Sequence, residues 1–213
     1  MTNAQKVATG RIRHSGFVID SSFVIRHSSF SDGSAFTLIE LIVVVTVIVI
    51  LTGLVLSTVG YVQKKAARSR AETEIAAMSA ALESYKADNG VYPNNGDTNN
   101  LDARTNGDPR STAYSQASLW LYKQLSGDTS GGRSPTGKSY MDFKPKMLLP
   151  AGGAGIVTAI ADPFANSYGY STAQAANPGG AAGYNPTFDL WSTAGLTTSP
   201  PSAADQNQWI KNW

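Results

Sequence analysis

The 213-residue chain has no cysteine, and its two histidines, His14 and His27, both fall within the first 35 residues. No disulfide can form, so either redox compartment is open to it. Beyond residue 35 there is neither His nor Cys, so zinc and the commonest acid–base or thiol chemistry lose their usual groups. This argues against an enzyme. An excess of one charge is missing too. Residues 1–35 carry four basic and two acidic groups, and 13 of each sign remain without them. A neutral chain gives no electrostatic case for nucleic-acid binding. Proline is absent from 36–92, so nothing there breaks a helix. Charge is absent altogether from 41–63, a run of 23 residues between Glu40 and Lys64.

That run is long enough to cross a bilayer, which takes about 20 apolar residues. Val and Ile fill most of 42–50, with no polar stripe to face water. The segment therefore reads as a membrane span. Lys6, Arg11, Arg13 and Arg26 precede it and Lys64, Lys65, Arg68 and Arg70 follow, so the flanking cations set no orientation. The four that follow fit either contact with anionic lipid heads or a solvated basic turn. Residues 12–30 hold a crude repeat, "IRHSGF", "VIDSSF", "VIRHSSF", too short to bury anything, and read as an unstructured leader. An ordinary secretory signal would show an apolar stretch of about 7–15 residues there, which is lacking.

After the span, Ala71, Ile75, Met78, Leu82 and Tyr85 recur at helical spacing and form one apolar stripe. Asn89-Gly90 supplies a left-handed stop and Pro93 prevents resumption. From Phe36 to Asp88 this predicts one helix, about 80 Å long at about 1.5 Å per residue. Residues 94–118 read as a polar loop, 117–125 as a short helix and 126–139 as loop again. Strand signals follow at 156–160, 167–171 and 187–192, the first two flanking the turn "ADPFAN". The expected class is α+β: a long N-terminal helix, membrane-spanning in its first half and amphipathic in its second, packed on a small antiparallel sheet. Trp209, Ile210 and Trp213 are placed to anchor the terminus. Trp120, Tyr122, Tyr168, Tyr170 and Trp191 read as core rather than as a binding platform.

The segment "FTLIEL" (36–41) sits after a small residue and a basic leader and before the span and the amphipathic helix. That order resembles the type IV prepilin and type II secretion pseudopilin superfamily. The likeness continues to "YKADNGVYP" (85–93). It resumes at "ADPFANSYGY" (161–170), "FDLWSTAG" (188–195) and "WIKNW" (209–213), which look most like the major pseudopilin, or G subunit. Residues 94–155 show no clear match. The division implied is a cleavable leader (1–35), a hydrophobic membrane and assembly helix (36–63), its amphipathic continuation and cap (64–93) and an exported pilin-like globular region (94–213).

The resemblance implies that an inner-membrane prepilin peptidase cuts between Ala35 and Phe36 and methylates the new Phe36 amine. Ala35 departs from the usual Gly. Subunits would then join identical copies in a helical filament, with minor pseudopilins and an inner-membrane platform as further partners and the C-terminal region in the periplasm. A carboxylate at membrane depth marks a pairing. Glu40 is accordingly expected to pair with the Phe36 amine of a neighbouring subunit. Ser57 stands where the family often has Pro, with Gly53 and Gly60 on either side. Related major pseudopilins usually bind calcium near the C-terminus. In the corresponding 192–209 the only carboxylate is Asp205, so calcium binding is expected to be absent or weak. No other cofactor is expected.

Two other readings remain open at this stage: a type IV pilin of a surface or DNA-uptake pilus, and a single-span anchor carrying a ligand-binding or enzymatic domain. Gly132, Gly137, Lys138 and Ser139 fit a phosphate-loop pattern, but no apolar strand precedes them and Pro145 follows closely, so the pattern is discounted.

Overall fold

A computed structural model describes residues 36–213. It divides into two units, one ending at Ile50 and the other spanning Leu51–Trp213. Helix α1 runs Leu38–Asn89 without interruption. Its apolar first part carries no buried residue, and it is long and apolar enough to cross a membrane. Beyond it, Ala71, Ile75, Met78 and Leu82 are buried as the stripe predicts, together with Glu74 and Ala81. The helix stops where expected: Gly90 takes φ 78° and donates its N–H to the Lys86 carbonyl.

The stretch 94–118 is not a plain loop. Asn95 caps a short helix α2 (Gly96–Asn100), in a box with Thr98. Helix α3 covers Thr112–Ser126, five residues earlier at its start than the 117–125 expected. Its buried side chains Tyr114, Ala117, Leu121 and Leu125 follow helical spacing. Polar residues at 111–116 obscured the first turns. α3 ends at Gly127, which takes φ 73°.

The strands also pair differently from a single three-stranded meander. Strand β1 (Leu148–Leu149), unanticipated, pairs antiparallel with β2 (Ala159–Ile160). A lone bridge, Ala161 to Ser167, carries the chain from β2 towards β3 (Gly169–Ser171). After a short helix α4 (Ala173–Ala176), β4 (Asp189–Ser192) takes the centre of a three-stranded antiparallel sheet between β3 and the C-terminal β5 (Ile210–Lys211). A one-turn helix α5 (Ala203–Gln206) precedes β5. The α1 stripe shares one core with Leu121 and Leu125 of α3 and with Ile160, Tyr168, Tyr170 and Leu190 of the strands. A second cluster joins Leu101, Tyr114, Trp191 and Trp209. Tyr122, Tyr168, Tyr170 and Trp191 are core as expected, while Trp120 is only partly buried. The α+β architecture is as expected.

Candidate functional site

The amino end of α1 is built by two side chains. The Glu40 N–H donates to Thr37 Oγ1 at 3.2 Å, and Glu40 Oε2 receives the Thr37 N–H at 3.5 Å and the Thr37 hydroxyl at 3.4 Å. With Thr37 at the N-cap and Glu40 at N3, this is a reciprocal capping box. The carboxylate also sits in the first turn, where the helix dipole favours negative charge. The signal was in the sequence, as Thr-x-x-Glu before an apolar run, and went unread behind the question of charge at membrane depth. Glu40 is exposed and makes no ion pair among the described residues. Phe36, two residues before the helix, is 78% exposed. Ala35 and the leader lie outside the described residues.

The apolar stretch that follows has few polar side chains, and their hydroxyls are satisfied within the helix. Thr46 donates to the Ile42 carbonyl at 2.8 Å, Ser57 to Leu54 at 2.7 Å and Thr58 to Val55 at 2.9 Å. Ser57, standing where Pro was the family expectation, thus back-bonds into an unbroken helix, and Gly53 and Gly60 face open space. All the side chains from Phe36 to Ile50 are exposed. In water such a surface would be untenable. Lipid or other apolar helices must cover it.

Farther along α1 a polar tie joins helix and sheet, and sequence reasoning missed it. Glu74 holds the Arg70 guanidinium at 2.8 Å and receives the Tyr168 hydroxyl at 2.8 Å. Burial first, and then the Glu74 charge, push Tyr168 far above the ordinary phenol range, so it stays a donor. Nearby Asp162 accepts the N–H groups of Phe164 and Asn166 at 2.9 and 2.8 Å and the Ser192 hydroxyl at 2.5 Å. Burial raises its pKa, the hydrogen bonds resist, and the Glu74 charge adds to the rise. In the sequence Glu74 looks like any helix-surface glutamate. Only its place among Ala71, Ile75 and Met78 hinted that it faces inward.

The remaining flagged residues do not converge on a reaction centre. Within the phosphate-loop-like stretch the backbone already holds an anion of its own. Asp128 accepts the N–H groups of Gly131 and Arg133 at 2.9 and 2.6 Å, with the hydroxyls of Ser130 and Tyr122 at 2.8 and 2.9 Å. Burial works to raise the Asp128 pKa, and these four bonds together bring it below the usual value. Lys138 pairs with Asp88 and the Ser139 hydroxyl turns to the Met141 carbonyl. No helix follows, so no phosphate cradle forms. Asp205 is the N3 residue of the α5 capping box. Its Oδ2 receives the Ser202 N–H and hydroxyl at 3.0 and 2.7 Å, which lowers its pKa. Among the described residues, no three acidic side chains gather to hold a cation. A single carboxylate already engaged as a cap does not fit the oxygen-rich cage calcium needs.

Residues 58–132 match the family described as type II secretion system (T2SS), protein G. The match crosses the second half of α1, α2 and α3, including 94–132, where motifs alone showed no clear likeness. It begins after Glu40, so it is independent of the "FTLIE" segment. No curated protein and no solved structure matches the chain.

Proposed function

We propose, from the support the protein G match gives to the pseudopilin superfamily and its G subunit, that this chain is a structural subunit of a type II secretion pseudopilus. It works by assembling, not by catalysis. It is made as an inner-membrane precursor with its C-terminal region in the periplasm. A prepilin peptidase cuts between Ala35 and Phe36 and methylates the Phe36 amine.

The observation that carries this reading is Glu40, an exposed carboxylate without an ion partner among the described residues, heading a helix whose next two dozen residues carry no charge. In a filament, apolar α1 segments cover one another and Glu40 pairs with a neighbour's Phe36 amine. Low polarity there strengthens the attraction and makes either charge costly alone, on the order of 3–5 kcal/mol for a broken buried pair. Glu40→Ala is therefore expected to insert and be processed while forming few or no filaments, and Glu40→Asp to be less severe. Membrane fractionation, intact-mass spectrometry and filament yield check the three steps. An assembled wild-type chain retaining residues 1–35, or a normal filament yield from Glu40→Ala, overturns the reading.

A further inference from the structure

Below β4 a groove of about 580 Å³ is lined by Lys64 and Arg68 of α1, Phe164 and Asn166 of the β2–β3 turn, Leu196 beyond β4, and Gln208 before β5. Its lining contains two cations and no carboxylate. Among the described residues neither cation makes an ion pair. Arg68 is steered into place by one backbone bond, its Nη1 donating to the Gln208 carbonyl at 2.6 Å, which leaves the rest of the guanidinium for another acceptor. Phe164 and Leu196 give the walls an apolar part. Lys65, next in sequence to Lys64, does not line it.

Depth along α1 identifies the occupant. Residues 41–63 amount to about 35 Å of helix. That fills a hydrocarbon core of about 30 Å and reaches into a headgroup layer of about 5–7 Å on each side. Lys64 to Arg68 covers the next 6 Å or so. Cations, amide donors and apolar walls at that level suit a phosphate diester with its acyl chains nearby. We infer that this groove binds the headgroup of one anionic phospholipid while the subunit stands in the membrane. The inference rests on the membrane-inserted state in the reading above. The lipid holds the globular region at the membrane surface and has to be released when the subunit enters a filament.

The test uses the full-length chain in detergent micelles doped with phosphatidylglycerol or phosphatidylcholine, with bound lipid counted by native mass spectrometry. Wild type is expected to retain one phosphatidylglycerol and to lose phosphatidylcholine. Lys64→Ala should weaken retention about fivefold and the pair Lys64→Ala with Arg68→Gln about 25-fold, taking about fivefold per cation. Lys65→Ala should change it less than twofold. The exposed Lys64 keeps the test valid if the Arg68 change disturbs folding. Glu40→Ala should bind lipid as wild type does, which separates this site from filament assembly. Equal retention of both lipids overturns the inference. So does an equal loss in Lys65→Ala, which would mean diffuse attraction, or full displacement by millimolar inorganic phosphate. Normal lipid retention in the double variant with lost filaments would reassign the groove to a contact between subunits.

Discussion

Glu40 serves two partners in turn. Within one chain it closes a capping box with Thr37, and in the proposed filament the same oxygens meet a neighbour's amine. The box holds the carboxylate at the helix end before the amine arrives, so less freedom is lost when they pair. Thr37→Val keeps the shape and removes the hydroxyl, a loss of about 1 kcal/mol for a cap. Filament yield should fall, by less than with Glu40→Ala, with insertion unchanged. An equal loss would mean that Thr37 touches the neighbour itself. Asp162 makes the second case at this scale. Its pKa is raised on folding, so the folded state holds that proton more tightly than the unfolded chain. The resulting stability is complete below the unfolded value of about 4 and is lost as pH rises through the higher folded value. Asp189 is shifted the same way by burial, while Asp128 is shifted oppositely, so only a comparison isolates Asp162. Asp162→Asn cannot ionise. Its stability relative to wild type should climb as pH rises above about 4 and then level off, measured as denaturation midpoints across pH. A difference flat with pH would show that Asp162 carries no proton linkage.

Among the elements, legibility followed length. The 52-residue α1 declared itself by an uncharged run, a stripe at helical spacing and an Asn-Gly stop. The strands have two to four residues each, too few for alternation to show, and β4 is buried at every position. Nothing local tells β1 that it pairs with β2, or sends "WIKNW" to the edge of β4. Those choices follow from tertiary contacts. The capping box was legible by pattern, while the Glu74–Tyr168 tie, 94 residues apart, was not. One cross-strand contact shows how tightly the small sheet is specified. Gly169 stands opposite Trp191, and a Cβ at 169 would run into the indole ring. Trp191 cannot retreat easily, since its Nε1 donates to the Tyr114 hydroxyl at 2.8 Å and its ring stacks on Trp209. Gly169→Ala should destabilise the fold by about 1–3 kcal/mol, the range for overpacking a filled core. A denaturation midpoint within error of wild type would mean that the indole moves freely.

For the molecule as a whole, the question is what fastens the last 30 residues. The resemblance led to an expectation of calcium in relatives and little or none here. The structure supplies other fasteners. Trp209 is buried and stacks on Trp191 with ring centres 6.2 Å apart, and Trp213 lies flat against Tyr184 at 4.7 Å. Asn212 brackets β4, its side-chain oxygen taking the Leu190 N–H at 2.9 Å and its own N–H reaching the Leu190 carbonyl at 3.2 Å. The intervening loop is turned by the Ser202–Asp205 box. Calcium would have to draw Asp205 away from Ser202 and find its remaining oxygens among hydroxyls and carbonyls, with one negative charge to offset its dehydration. The full-length chain in detergent should therefore melt at the same temperature in EGTA and in millimolar calcium. Asp205→Ala should lower that temperature slightly and equally in both, because it removes a cap and no ligand. Trp209→Ala should cost far more, about 3–5 kcal/mol for a large core aromatic, and calcium should not restore it. A calcium-dependent rise that Asp205→Ala abolishes would show instead that the 192–209 loop closes around an ion and that the aromatic stacks alone do not hold it.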